Sequence, residues 1–101
     1  MATQGECIWI HEKLMAEMKK SNGRHFSSAE YASIQVPTYP CGQISAFVLS
    51  KNKKSCSVPS RRVNEGKMGR NVNDTMPLRY YTSGMHESAF ILPAFVQKNL
   101  I

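Results

Sequence analysis

Long apolar runs, closely spaced cysteines and metal-ligand clusters are missing from this 101-residue sequence, and each absence removes a class of function. The longest apolar stretches, such as "AFILPAFV" at residues 89–96, fall far short of the ~20 residues a helix needs to span a bilayer. No membrane partner is therefore expected. The opening "MATQGEC" has neither the charged nor the apolar region of a secretion signal, which makes the cytoplasm the expected location. Cys7, Cys41 and Cys56 are odd in number, widely spaced and form no CxxC, so they read as free thiols in a reducing compartment. His11, His25 and His86 share no ligand spacing with one another or with the cysteines, and no metal is expected. A nucleophile elbow is absent, as is any internal repeat.

What is present begins with charge. Thirteen basic and seven acidic residues give a net charge of +6, but seven of the basic residues fall in Lys51–Arg70 against one acid, Glu65. The excess is a local segment and does not characterise the whole fold. It carries no interleaved aromatics on which bases could stack, so nucleic acid is not expected as a partner. The length allows one domain at most, burying roughly two-thirds of the surface its unfolded chain exposes.

Hydrophobic periodicity predicts a helix over residues 7–20, "CIWIHEKLMAEMKK", with Ile10, Leu14 and Met18 as a core-facing stripe and "SNG" as its stop. Alternation predicts strands over residues 31–36 and 43–49. From Ser50 to Met76 no period survives, and the segment reads as a long mobile loop, basic and variable over about residues 51–76. Beyond it, Thr82 or Ser83 can cap a short helix through "MHESAFIL", and Pro93 can open another over Ala94–Leu100. Two strands and three short helices form a thin sheet with two long edges, marginal on its own. The chain reads as a piece of something larger.

Between the two strands lies "VPTYPCGQI" (Val36–Ile44), in which two prolines bracket Thr38 and Tyr39. Proline cannot donate to a strand ladder and keeps its predecessor out of the helical region. The segment is a stiff turn that holds one phenol in a fixed direction.

Three blocks, "QGECIWIH" at Gln4–His11, "VPTYPCGQI", and "PLRYYTSGMHESAFILPAFVQKNL" at Pro77–Leu100, resemble the C-terminal third of spermidine synthases, in the family's order. The resemblance implies an α/β fold, a methyltransferase-like Rossmann sheet whose last two strands form an antiparallel hairpin. Residues 1–101 would be a partial catalytic domain. It also implies a reaction: transfer of an aminopropyl group from decarboxylated S-adenosylmethionine, a co-substrate and not a cofactor, to putrescine. Such a transfer needs an amine freed of its proton and held in line with the carbon and the departing sulfur.

On this likeness Tyr39 matches the tyrosine that lines the diamine pocket, and Gln4 matches a glutamine facing the same site. Trp9 and His11 match recurring positions and read as structural. The family's Asp-x-x-Asp-Pro loop, which supplies the base, has no counterpart, and the sole aspartate, Asp74, sits in the basic segment. No catalytic residue is assigned. Ser45 and Ala46 stand where the family usually has glycine and phenylalanine, and Glu12 stands at a position usually apolar. Expectation therefore divides between an incomplete synthase, silent alone, and a non-catalytic partner docking on a full-length paralogue or a second copy of itself.

Overall fold

A computed structural model describes residues 1–62 and 79–100. Asp74 and the basic segment beyond residue 62 lie outside the described residues, so the expectations placed on them go no further. The described elements are β1 (Ala2–Gly5), α1 (Ile8–Asn22), β2 (Ser28–Gln35), β3 (Gln43–Ser50), α2 (Ser83–Ser88) and α3 (Ala94–Leu100).

The sheet has three strands, not two. β1 pairs antiparallel with β3, which also pairs antiparallel with β2, giving the order β1-β3-β2. The four-residue "ATQG" is too short and too polar to announce itself by alternation, yet it covers one edge of β3 through Gln4↔Ala46 and Gly5↔Ser45. β2 begins three residues earlier than expected, because Ser28 and Ala29 continue the ladder opposite Ser50 and Leu49. The outer edge of β2 is partly occupied too, since the Ser33 N–H donates to the Ala89 carbonyl at 2.7 Å.

Gln43, Ser45, Phe47 and Leu49 alternate onto one face of the sheet, and all four are buried. Tyr31 lies in register with Phe47, and their rings meet edge to face at 5.5 Å. Ile8 and Met15 of α1, with Val96 and Leu100 of α3, close the core over them. Fully burying each such side chain contributes about 1.5–3 kcal/mol.

The expected stripe on α1 is displaced. Ile10 and Leu14 are exposed, Met18 is only partly buried, and Ile8 and Met15 face the core instead. Two local causes set this phase. The helix is broken at His11, whose φ of −117° and ψ of 33° leave the helical region. Its start is also anchored, with the Ile8 N–H donating to Gln43 Oε1 and the Glu6 N–H to Met15 Sδ at 3.0 Å. The end is ordinary: Ser21 and Asn22 stay helical, and the Gly23 N–H closes on the Lys19 carbonyl.

α2 begins at one of its two expected caps but ends earlier than expected. Thr82 is its cap, accepting from the Met85 N–H at 3.0 Å, and the helix stops at Ser88 instead of running to Leu92. α3 follows Pro93 as expected, with the Val96 N–H donating to the Pro93 carbonyl.

The described part of the basic segment, residues 51–62, has no helix or strand and is tied to the rest of the chain by side-chain bonds. Glu30 accepts from the Ser55 hydroxyl at 2.7 Å and the Cys56 N–H at 2.8 Å. The His86 ring lies 2.8 Å from the Cys56 carbonyl through Nε2 and 2.7 Å from the Tyr81 hydroxyl through Nδ1. Because a carbonyl only accepts, Nε2 carries a proton. Arg62 pairs with Glu87 on α2, and Lys51 donates to the His25 carbonyl while lying over the Phe26 ring. No described helix is long and apolar enough to cross a membrane.

Candidate functional site

The turn at residues 36–42 consists of two successive β-turns. The Tyr39 N–H donates to the Val36 carbonyl at 3.1 Å, and the Gly42 N–H donates to the Tyr39 carbonyl at 2.8 Å. Pro37 and Pro40 each occupy the second position of their turn, where a fixed φ favours the bend. A third bond, from the Val36 N–H to the Gly42 carbonyl at 2.9 Å, closes the base. Gly42 has φ of +66° and open space where a Cβ would stand, so conformation alone favours glycine there. The backbone of Tyr39 is therefore held on both sides, and the residue is 39% exposed.

The turn faces the corner where β1 passes into α1. Glu6 is fixed through its carbonyl, which accepts from the Tyr31 hydroxyl at 2.8 Å and from the Ser45 hydroxyl at 3.1 Å. Gln43 completes the arrangement. Its Oε1 accepts from the Ile8 N–H at 3.1 Å, and its Nε2 donates to the Tyr31 hydroxyl at 2.9 Å and to the Ile44 carbonyl. A first-turn helix donor is thus satisfied from the adjacent strand, while Cys7 at the cap position makes no side-chain cap bond.

Between corner and turn lies a cavity of about 150 Å³ lined by Glu6, Cys7, His11, Tyr39, Cys41 and Gln43, among others. A larger cleft of about 550 Å³, lined by Trp9, Gln35, Pro37, Cys41, Met85 and Pro93 among others, opens on the other side of Cys41. Cys7 is buried, Cys41 is exposed, and both are free thiols. A side-chain hydrogen bond to Cys7 holds the Cys41 thiol above its ordinary value, with loss of solvent contributing second. Tyr31 is also raised, chiefly by burial, with its bonds to Ser45 and Gln43 opposing.

Of the two residues expected to face a diamine, Tyr39 lines the smaller cavity. Gln4 is not part of that lining. It is exposed on β1, in register with Ala46 and hence on the sheet face opposite the one α1 covers, at the end of the sheet where the turn lies. Trp9 is 63% exposed and packs on Phe95 at 5.0 Å, a surface pair and not a core residue. His11 marks the break in α1 and lines the cavity. Sequence reasoning missed Gln43, Tyr31 and Ser45. Nothing in their spacing shows that they converge on Glu6 and Ile8.

Among the described residues no group of three or more His, Cys, Asp or Glu could hold a metal ion. The small cavity offers a phenol, an imidazole, two thiols and Glu6, a set that can bind and orient a polar molecule.

Fold and turn together define an α/β unit that presents one tyrosine, held by the turn's backbone, at the edge of the smaller cavity. Its sequence matches the spermine/spermidine synthase domain over residues 1–59, and the chain belongs to this family of polyamine aminopropyltransferases. It is 32% identical over 94 residues to a spermine synthase of Saccharomyces cerevisiae, covering 92% of this chain and 29% of the yeast protein. A spermidine synthase of Schizosaccharomyces pombe is 31% identical over 98 residues, covering 96% of this chain and 31% of that protein. A spermine synthase of Arabidopsis thaliana is 31% identical over 101 residues, covering 99% and 28% respectively. The chain thus spans about three-tenths of the length of the relatives it matches.

Proposed function

We propose that this chain carries one wall of an aminopropyltransferase diamine site and transfers no aminopropyl group by itself. The observation that carries this reading is the tandem turn. It fixes Tyr39 by two backbone hydrogen bonds and two prolines at the rim of a cavity that Glu6 also lines. A phenol there can accept a hydrogen bond from an ammonium or donate one to a free amine without adding a full charge. Gln4 would contact the same diamine from the end of β1. Putrescine and decarboxylated S-adenosylmethionine are the substrates the family suggests.

The antiparallel order β1-β3-β2 suits the end of a doubly wound, methyltransferase-like sheet, with the edge of β1 that no described strand pairs as the place for a further, parallel strand. The base is the missing element. The chain has a single aspartate, Asp74, and no Asp-x-x-Asp-Pro sequence. The purified chain, given both substrates, is expected to form spermidine no faster than buffer. Turnover clearly above that background would overturn the reading.

A second reading has its own observation. Trp9, Ile10, Ile91 and Phe95 are all large, apolar and at least 40% exposed, and Trp9 and Phe95 touch. Such a surface suits a non-catalytic partner docking on a full-length aminopropyltransferase. Co-elution with such an enzyme and a changed rate would support it, and neither effect at micromolar concentration would end it.

A further inference from the structure

Cys7 and Cys41 take no part in the proposed transfer, yet they are the two thiols that line the cavity at the site. They lie far apart in sequence and line the same 150 Å³ cavity, Cys7 from its buried place before α1 and Cys41 from the exposed side of the turn. Cys7 is the strongest influence on the Cys41 thiol. Cys56 lies elsewhere, its N–H bonded to Glu30, and lines neither this cavity nor the larger cleft.

Both thiols are carried on fixed backbone. Cys41 lies between Pro40 and Gly42 in a turn closed by three hydrogen bonds, and Cys7 accepts the His11 N–H at 2.9 Å through its carbonyl. Little freedom is left to lose when the sulfurs are joined. We propose that Cys7 and Cys41 form a reversible disulfide by exchange with a small-molecule disulfide of the glutathione class, and that this bond clamps the Tyr39 turn onto the start of α1.

The exchange balances in two steps. The Cys41 thiolate, the accessible one, attacks a sulfur of the small disulfide, forming a mixed disulfide and releasing one small thiolate, which takes up the proton Cys41 lost. The Cys7 thiolate then attacks the Cys41 sulfur and displaces the second small thiolate, which takes up the proton from Cys7. Two protein thiols are oxidised by two electrons, and one small disulfide is reduced to two thiols. Because Tyr39 is two residues from Cys41, the bond narrows the range of the turn that carries the phenol. The inference does not depend on the proposed transfer chemistry.

The test equilibrates the full chain against mixtures of reduced and oxidised glutathione, quenches with acid, alkylates free thiols and maps the products by mass spectrometry. The expected product has lost two hydrogens, yields a Cys7–Cys41 linked peptide and leaves Cys56 alkylated. It should also melt at a higher temperature than the reduced chain. Cys41→Ser should abolish the product and Cys56→Ser should not; the exposure of Cys41 makes the first variant a mild change, checked by its circular dichroism. Three alkylated cysteines at every ratio, a stable glutathione adduct at Cys41 with Cys7 still free, or a linkage through Cys56 would each overturn the proposal.

Discussion

A Cβ at Gly5 would come within 2.2 Å of Ser45 Oγ and 3.2 Å of Met15 Sδ, the first far inside van der Waals contact. Ser45 cannot simply turn aside, because its hydroxyl is buried and bonded to the Glu6 carbonyl. Gly5→Ala should therefore cost about 1–3 kcal/mol by overpacking. Adding Ser45→Gly should recover part of that loss, a coupling that urea denaturation of the two single variants and the double variant would measure. Gln43→Leu should cost about 1–3 kcal/mol in the same measurement, since it leaves the buried Ile8 N–H without its acceptor. Tyr31 sets a pH dependence. Burial raises its folded-state value above 10.0, so the native chain holds the phenolic proton more tightly than the unfolded chain does. Its contribution is whole below pH 10.0 and is lost as pH rises through the folded value. Lys19 works in the opposite sense: burial lowers its value, so stability is gained as pH rises towards 10.5. Wild type and Tyr31→Phe share Lys19, and the difference between their stability curves should fall above pH 10.0 if Tyr31 acts this way.

At the scale of elements, His86 is the clip between α2 and the described part of the basic segment. His86→Ala removes the bonds to Cys56 and Tyr81 together. Residues 51–62 should then exchange amide hydrogens faster while β2 and β3 keep their protection, and equal loss in the sheet would contradict this division. That segment looked unmoored in sequence because its tethers reach it from Glu30 and Glu87, far away along the chain. β3 and the turn were legible, because alternation and proline act within a few residues. α3 was legible for the same reason, through Pro93. The phase of α1 was not, because it is set by the break at His11 and by Gln43 reaching across from β3, a bond made over 35 positions. β1 escaped notice because a strand of four residues, two of them polar, is defined by its partner and not by its own pattern. Tyr39 stood out as a rigidly held phenol from its prolines and as a candidate site residue only through the family likeness, whereas the cavity wall opposite it comes from the β1–α1 corner, which only folding brings near.

As a whole molecule the chain joins a well-defined core to exposed apolar surface. Phe47, Met15 and Val96 are fully buried, while Trp9, Ile10 and Ile91 are each more than 60% exposed. Scattered exposed apolar residues are normal, but a touching pair with Ile10 next to Trp9 on α1 and Ile91 lining the same cleft as Trp9 is a patch. The chain belongs to the family and spans three-tenths of the relatives' length, and the proposed reading puts the opposite wall and the base of the diamine site on other residues. The decisive measurement supplies those residues. A chimera would replace the corresponding part of a full-length spermidine synthase with this chain, and its Michaelis constant for putrescine would be compared with that of the chimera carrying Tyr39→Phe. A folded chimera should transfer aminopropyl groups, and the loss of one hydrogen bond to a charged amine, about 1.5–3 kcal/mol, should raise that constant by roughly ten-fold or more. An active chimera in which Tyr39→Phe leaves the constant unchanged, or a folded one with no transfer at all, would contradict the assignment of Tyr39 to the diamine wall.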